Sequence, residues 1–286
     1  MHVLVTGATG QVGRRFLPRL LRWSGQDRVR VLVRDAERAE AFAALGAETH
    51  VGDLRDSATL PGALAGMDAV VHIAAAFRGV PDEEARAVNR DATLALAEAA
   101  LAEGARRFVF VSTNLVYGAG RGRPAVETDE TRADGILRGA YPDSKIEAER
   151  GLVRLHRERG LDVRIARLSF VYGDGDPHLE QSLRWVVDWA AHQRLQLVHH
   201  ADVAQALRLL LRAPGIGGGI YNVADDAPVS AVEVLELTGT PVPDGMAERP
   251  LADAWDGIVS NRRIREELGF RPLYPSLRTA DDAGCR

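Results

Sequence analysis

The sequence is short of two residue types, with one cysteine and one lysine among 286 residues. The lone Cys285 excludes an internal disulfide, and a reducing, cytoplasmic location fits this cysteine usage. No apolar run is long enough to span a bilayer, and the first strand begins at residue 2, so we expect neither a membrane span nor a signal peptide. The net charge of −4 gives no electrostatic reason to expect nucleic acid or an anionic membrane as a partner.

Metal and hydrolase motifs are also missing. The chain contains no Cys-x-x-Cys or His-Glu-x-x-His spacing, and His199 and His200 are consecutive, which suits chelation poorly. We expect no metal site and interpret the two histidines as structural or pocket-lining residues. A Gly-x-Ser-x-Gly elbow and a P-loop lysine are absent as well, which argues against those two chemistries.

The shortage of lysine makes the one lysine informative. Of 36 lysines and arginines, one is Lys145 and the remaining 35 are arginines. Lys145 follows Tyr141 by four residues, about one helical turn, so both side chains can point into one cleft. A nearby ammonium stabilises a phenolate and lowers the phenol pKa from about 10 toward the working pH. The spacing predicts Tyr141 as a proton donor and acceptor tuned by Lys145; the alternative is a surface pair in the first turn of a helix.

Residues 3–13, VLVTGATGQVG, combine an apolar strand with a glycine-rich turn that opens an amphipathic helix. Gly7 and Gly10 can adopt backbone angles closed to other residues, and they place no side chain between backbone and ligand. Gly13 lets the helix lie close to the strand, and the exposed amides at the helix start suit a pyrophosphate. The pattern predicts a dinucleotide-binding loop, with an ordinary strand–turn–helix as the alternative.

Strand and helix patterns alternate through the first two thirds of the chain. This alternation predicts an α/β fold with a doubly wound parallel sheet. We expect one long helix over 82–103, another over 141–159 and a later one over 179–191.

The alternation weakens after Tyr172, which suggests a second structural unit. We predict a nucleotide-binding domain over 1–167, to which 195–223 returns. A smaller substrate-binding lobe is expected over 168–194 and 224–286. Within that lobe, the tail after Leu277 is expected to be loose.

The end of the second predicted strand decides which dinucleotide the loop would bind. A carboxylate there accepts a hydrogen bond from the adenosine ribose, whereas an arginine pairs with a 2′-phosphate. The chain has Arg34 followed by Asp35, so we expect NADP in preference to NAD, with Arg14 as a further contact. An exposed arginine in an arginine-rich chain is the alternative for Arg34. Asp53 and Leu54, after the third strand, are expected at the adenine, with a plain turn aspartate as the alternative.

Two further polar residues belong to the predicted site. Thr113 ends the fifth strand, at the sheet edge where ligands bind, and its hydroxyl can hold a substrate oxygen or merely cap the strand. Asn89 can order a water or hold a backbone carbonyl near Lys145, or can sit in its helix without such a role. The loop over 118–139 carries arginines that either grip an anionic substrate or lie at the surface: Arg121, Arg123 and Arg138.

Taken in order along the chain, these segments resemble one known family. They are residues 6–13 (TGATGQVG), 52–54 (GDL), 72–75 (HIAA), Asn89, 112–118 (STNLVYG), Tyr141 with Lys145, and 202–204 (DVA). The combination is similar to the extended short-chain dehydrogenases/reductases of the NAD-dependent epimerase/dehydratase type. The resemblance covers nearly the whole chain, and it is specific for the family rather than for the substrate.

The resemblance implies a Rossmann domain with a C-terminal substrate lobe, and a homodimer formed through the long helices that begin near Asp82 and Tyr141. It implies Tyr141 as the catalytic acid/base, Lys145 at the nicotinamide ribose and Thr113 as the substrate-orienting hydroxyl, with Asn89 counted among the catalytic residues. Cofactor contacts are expected from the following residues: Gly7, Thr9, Gly10, Gln11, Val12, Arg34, Asp53, Leu54, Ala74, Ala75, Tyr141 and Lys145.

Two departures from the family pattern concern the substrate. After the sixth strand, nucleotide-sugar members place an asparagine in Arg-Pro-x-Asn, whereas this chain has Phe170. The arginine that those members often place ahead of the His…Asp-Val-Ala segment is replaced by Leu195, with Arg194 beside it. We therefore expect hydride transfer between a nicotinamide and a small carbonyl or alcohol substrate. The alternatives are a nucleotide-sugar epimerase or dehydratase, and a non-catalytic protein that senses NADP.

Overall fold

The computed structural model describes residues 1–23, 25, 27–77, 79–135 and 137–286. Strands and helices alternate from the N-terminus in the order β1 (His2–Thr6), α1 (Gln11–Trp23), β2 (Arg28–Val33), α2 (Ala36–Ala44), β3 (Glu48–Val51), α3 (Leu60–Leu64), β4 (Ala69–His72), α4 (Asp82–Arg86), a π-helical turn (Ala87–Ala92), α5 (Thr93–Ala102), β5 (Arg107–Thr113), a 3-10 turn (Asn114–Tyr117), α6 (Ala140–Arg159) and β6 (Asp162–Leu168). The later elements are β7 (Phe170–Tyr172), α7 (His178–Val186), β8 (Arg194–Leu195), β9 (Leu197–His199), α8 (His200–Arg212), β10 (Ile220–Val223), β11 (Val229–Ser230), α9 (Ala231–Leu237), α10 (Arg262–Leu268) and α11 (Leu277–Asp282).

Within the described chain, seven strands form one parallel sheet in the order β10-β6-β5-β4-β1-β2-β3. β1 lies between β2 and β4, with Val5 paired to Val31 on one side and to Val71 on the other. The chain order reverses at β1, so the carboxyl edge between β1 and β4 is the switch point where ligands of such sheets bind. The predicted doubly wound α/β fold is confirmed.

Side chains along each strand alternate between two cores, one on each face of the sheet. Val3 and Val5 of β1 pack in the core that includes α1 and α8, whereas Leu4 packs in the core that includes α3, α5 and α6. Because helices cover both faces, the strands are apolar on both sides, as is typical of parallel sheets. This packing holds α6 against β5 and β6.

A third core joins the later elements. Tyr172, Leu179, Leu197 and Leu235 are among its buried members. β10 returns to the main sheet beside β6, while β7 pairs with β9 and β8 pairs with β11 in two small sheets. The division into a nucleotide-binding domain and a substrate lobe stays a prediction.

Three of the predicted elements need correction. α7 ends at Val186 rather than near residue 191, because the following turns fold back and the Ala191 N–H donates to the Met246 carbonyl oxygen (3.1 Å). The helix predicted over 82–103 contains a π-helical turn between α4 and α5. The tail that was expected to be loose forms α11, which buries Leu277 in the third core.

Candidate active site

The loop between β1 and α1 is built for close backbone approach. Gly7 has a φ of +74°, and a Cβ there would overlap the backbone nitrogen of Ala74. A Cβ on Gly13 would overlap the Gly7 carbonyl oxygen, so α1 can approach β1 this closely only with glycine at that position. The Gly10 N–H donates to the Gly7 oxygen (3.1 Å) and closes the turn. The loop therefore presents backbone amides at a helix N-terminus, a geometry that suits a pyrophosphate.

One continuous cleft of about 790 Å³ runs along the carboxyl ends of the strands and reaches α7. Its wall contains the predicted catalytic and cofactor-binding residues except Asn89 and the exposed Arg14: Gly7, Thr9, Gly10, Gln11, Val12, Arg34, Asp53, Leu54, Ala74, Ala75, Thr113, Tyr141 and Lys145. A cleft of this size falls in the range of small-molecule sites. The structure thus brings the glycine loop and the tyrosine–lysine pair into one cavity.

Arginines gather where β2 and β3 meet the cleft. Arg34, Arg38 and Arg55 line this end. Asp35 is held as the cap of α2, because its Oδ1 accepts a hydrogen bond from the Arg38 N–H (2.9 Å). Asp53 forms a bidentate pair with Arg55 (2.7 Å), which lowers the pKa of the Asp53 carboxyl to about 2. Sequence reasoning missed Arg55, although it directly follows the predicted adenine contacts after β3.

Tyr141 and Lys145 lie one turn apart at the start of α6 and line the same cleft. Lys145 is 1% exposed, and its Nζ donates to the Val111 carbonyl oxygen at 2.9 Å. Burial lowers the pKa of Lys145 from 10.5 to about 7, although the negative charge of Glu149 raises it in part. The half-buried Tyr141 ring meets Phe77 in an edge contact with 4.7 Å between the ring centroids.

Thr113 lies at the carboxyl end of β5, in the cleft wall. Its Oγ1 accepts a hydrogen bond from the Leu115 N–H (3.3 Å) and so caps the following 3-10 turn. This capping contact corresponds to the structural alternative given for Thr113 in the sequence analysis. The position in the wall leaves the hydroxyl beside any ligand that occupies the cleft.

Asn89 lies behind the cleft wall, fully buried in the π-helical turn. Its Oδ1 accepts from the Ala76 N–H (2.8 Å), and its Nδ2 donates to the Ala76 carbonyl oxygen (2.9 Å) and to Ser144 Oγ (3.2 Å). Ser144 Oγ in turn donates to the Tyr141 carbonyl oxygen (2.9 Å). Asn89 therefore ties the loop after β4 to the first turn of α6. Asn89 was predicted to order a water, to hold a backbone carbonyl, or to have neither role; in the structure it holds the backbone of Ala76.

A buried ionic network underlies Lys145, and sequence reasoning missed it. Arg167 on β6 contacts the Glu149 carboxylate through Nη2 (2.5 Å) and Nε (3.1 Å), and Ser112 Oγ donates to the same carboxylate (2.5 Å). Glu149 and Arg167 are each 3% exposed. The available signal was the four-residue spacing from Lys145 to Glu149, which places both on one helix face. The network supplies the negative charge that acts on the Lys145 pKa.

The two consecutive histidines are structural in this fold. His200 Nε2 contacts Asp176 Oδ2 (2.7 Å), and His199 Nε2 donates to the Cys285 carbonyl oxygen (2.8 Å). Both histidine side chains are buried, and neither lines the cleft. Among the described residues, no group of three histidine, cysteine or acidic side chains could hold a metal ion. The same residues include no helix with the length and apolar character needed to cross a membrane.

The arginines of the loop over 118–139 do not reach the cleft wall. Arg121 donates to the Tyr117 carbonyl oxygen (2.8 Å), and Arg123 pairs with Asp129 (2.7 Å). Arg138 is exposed. These contacts favour the surface alternative over a grip on an anionic substrate, because the first two guanidinium groups fix the course of the loop itself.

Comparison with known proteins agrees with the motifs and the geometry. The chain is 32% identical to the 4-hydroxy-2-methyl-3-oxo-4-farnesyl-3,4-dihydroquinoline-1-oxide ketoreductase of Stigmatella aurantiaca, over 83% of this chain and 72% of that protein. It is 29% identical to a UDP-glucose 4-epimerase of Streptomyces lividans, over 98% and 94% of the two chains. A solved dTDP-glucose 4,6-dehydratase of Streptomyces venezuelae, with NAD bound, has a TM-score of 0.77 and 27% identity, over 97% and 94%. A family model described as the NAD dependent epimerase/dehydratase family matches residues 3–224. The chain therefore belongs to this family of extended short-chain dehydrogenases/reductases, as its motifs predicted.

Proposed function

We propose that the protein is an NAD(P)-dependent oxidoreductase that transfers a hydride between the nicotinamide and a small carbonyl or alcohol substrate. The observation that carries this proposal is that Tyr141 and Lys145 line the same cleft as the glycine loop. A pyrophosphate site and a proton donor in one cavity are what the protein must supply, since the hydride belongs to the cofactor. A relative that is a ketoreductase supports this reaction class.

Each polar residue of the cleft has a proposed task. Tyr141 donates its phenolic proton to the carbonyl oxygen, or accepts a proton from an alcohol in the reverse direction. Lys145 stabilises the phenolate in its charged form; burial lowers its pKa to about 7. Thr113 orients the substrate oxygen from the end of β5. Asn89 is a positioning residue, because its contacts hold the backbone around Tyr141 rather than the cleft itself.

Substitution of the phenol tests the proposal. Tyr141→Phe should lower kcat/KM for NADPH-dependent reduction across a carbonyl panel by about 100-fold or more, because general acid catalysis is lost. The Kd of the Tyr141→Phe variant for NADPH should stay within about twofold of the wild-type value. Tyr221→Phe is the matched control, since its hydroxyl donates to Glu267 (2.8 Å) away from the cleft. Turnover of Tyr141→Phe within a few-fold of wild type contradicts the proposal.

We further propose that the cofactor is NADP rather than NAD. Three arginines line the cleft beside β2 and β3; the Asp35 carboxylate is engaged as a helix cap, and the Asp53 carboxylate is paired with Arg55. Arg34→Ala should weaken NADPH binding about tenfold and leave NADH binding unchanged, because a guanidinium pairs with the 2′-phosphate. Arg22→Ala, an exposed position on α1, is the control. Equal wild-type affinity for NADPH and NADH in fluorescence titration would contradict the preference, and tighter binding of NADH would argue for NAD.

A nucleotide-sugar epimerase or dehydratase is the second candidate. It is favoured by the extent of the likeness to a UDP-glucose 4-epimerase, which spans 98% of the chain. Such an enzyme begins with the same hydride step and returns the hydride, so it would retain NAD through purification. Conversion of UDP-glucose or dTDP-glucose without added cofactor selects this candidate. Micromolar NADP binding without turnover of any carbonyl or nucleotide sugar would instead select an NADP-sensing protein.

We also propose a homodimer formed through two long helical segments, the one that begins at Asp82 and ends with α5, and α6. Leu94, Leu101 and Val153 on these helices are partly buried apolar side chains. Light scattering after size exclusion should then give twice the chain mass of 31.0 kDa. The cytoplasmic location inferred from the lone cysteine stays a prediction.

A further inference from the structure

Four aromatic rings follow one another along the cleft, and we name them the aromatic wall: Tyr141, Phe77, His178 and Phe170. Phe77 meets Tyr141 at 4.7 Å and His178 at 5.9 Å, in both cases edge to face. His178 then stacks on Phe170, with centroids 4.1 Å apart and planes 13° apart. All four residues line the cleft. The aromatic wall therefore begins at the proposed proton donor and extends to β7.

The far end of the aromatic wall is held in place by backbone contacts. The Phe170 N–H donates to the Gln196 carbonyl oxygen (3.0 Å), which fixes β7 beside β9. The His178 Nδ1 lies 3.3 Å from the Val171 carbonyl oxygen, which orients the imidazole parallel to the phenyl ring. Rings held in this way need little ordering when a further ring stacks on them or meets their edges.

The cations in this part of the cleft are engaged with protein groups. Arg194 donates from Nε (3.1 Å) and Nη2 (2.6 Å) to the Ala254 carbonyl oxygen and lies over the Trp255 ring at 4.3 Å. The Nε–Nη2 edge is one of the two edges that a guanidinium can offer to a phosphate in a bidentate pair, and in Arg194 this edge is occupied. Arg184 lies over the Trp185 ring at 4.1 Å. This end of the cleft thus presents a continuous aromatic surface, with one edge of the Arg194 guanidinium occupied by Ala254 and one face of the Arg184 guanidinium against Trp185.

We infer that the substrate carries its carbonyl on a flat aromatic ring system, which lies against the aromatic wall with the carbonyl oxygen toward Tyr141. The inference rests on the proposed oxidoreductase function and names its substrate class. Phe170 is the main specificity-determining residue, because it puts an apolar ring where the family's nucleotide-sugar members have an amide. A nucleoside diphosphate sugar would lose the amide and would find one edge of the Arg194 guanidinium already occupied.

Calorimetry on the NADP⁺-loaded protein tests this inference without turnover. The probe is acetylnaphthalene, compared with its fully saturated acetyldecalin counterpart and with UDP-glucose. We expect acetylnaphthalene to bind at least tenfold more tightly than acetyldecalin, and UDP-glucose to bind more weakly than either. Phe170→Leu should weaken acetylnaphthalene binding about two- to tenfold, the range expected for one aromatic contact. Phe170→Tyr keeps the ring and should bind like wild type.

The outcomes separate this inference from the proposed function. UDP-glucose binding more tightly than acetylnaphthalene overturns the inference, as does equal binding by wild type, Phe170→Leu and Phe170→Tyr. In either case, NADPH consumption with aliphatic carbonyls would leave the proposed function standing. Conversely, the expected binding pattern without hydride transfer to any carbonyl would support the aromatic site and refute the oxidoreductase.

Discussion

Replacing Lys145 by methionine should make the cofactor-free protein more stable, although the proposed enzyme needs the lysine. Lys145 is 1% exposed, and its ammonium lies 4.5 Å from the centre of the Phe110 ring. Methionine has a similar length, no charge and enough flexibility to fill the same space. The substitution therefore removes a buried charge while keeping most of the packing.

The sign and size of the effect follow from the pKa of Lys145, which falls from 10.5 in the open chain to about 7 in the fold. Between these two values the unfolded chain binds more protons than the folded one, so the free energy of unfolding rises with pH across that window. With about 1.36 kcal/mol per pKa unit, the buried ammonium costs about 4 kcal/mol at neutral pH. Loss of the hydrogen bond to Val111 offsets about 1 kcal/mol of the gain. We expect Lys145→Met to raise the free energy of unfolding by about 3 kcal/mol near pH 7 and by about 1 kcal/mol near pH 9.

Urea unfolding followed by circular dichroism at both pH values checks this expectation. Arg154→Met removes an exposed cation from the same helix and serves as the control, since it should leave the free energy of unfolding unchanged. Lys145→Met should also lose NADPH-dependent turnover, which separates function from stability. The reasoning is refuted if Lys145→Met is less stable than wild type at neutral pH, or if its advantage is the same at both pH values.

Two further predictions concern the buried ion pair and the glycine loop. Glu149→Gln leaves the Arg167 charge buried without its partner and should lower the free energy of unfolding by about 3 kcal/mol or more. Glu147→Gln, on the exposed side of α6, should change it by less than about 1 kcal/mol; similar urea midpoints for the two variants would contradict this. Gly7→Ala should abolish NADPH binding in calorimetry, because the methyl group would overlap the loop after β4. Gly46→Ala also has positive φ but faces open space, so it should lose only about 1–2 kcal/mol of stability and bind NADPH normally.

The cleft was predictable because its residues follow local patterns. Gly7, Arg34, Asp53 and Thr113 each come at or just after the carboxyl end of a strand. In a parallel sheet those ends meet at one edge, so a correct strand assignment is enough to bring them together. The four-residue spacing of Tyr141 and Lys145 needed only a helix that begins at the right place.

Partners that are distant in sequence were not predictable in this way. Nothing near Glu149 indicates that its carboxylate meets Arg167 on a strand, because that pairing depends on how α6 packs on the sheet. The end of α7 is likewise set by a contact with Met246, which lies far along the chain. The aromatic wall joins Phe77, in the loop after β4, to His178, the first residue of α7, and neither residue has a distinctive spacing in the sequence.

Asn89 combines a role that the sequence pattern indicated with contacts that depend on tertiary packing. The family resemblance selects it, yet its position depends on a π-helical turn that no hydrophobic pattern indicated. Its amide occupies both backbone groups of Ala76 and reaches Ser144, so it sets how the loop after β4 lies against the first turn of α6. The Gly7 turn abuts that loop at Ala74, and Tyr141 lies in the first turn of that helix. A side chain outside the cleft, that of Asn89, thus controls the separation between the proposed pyrophosphate site and the proposed acid. For this reason, sequence patterns can identify the chemical groups of the site but not the distances between them.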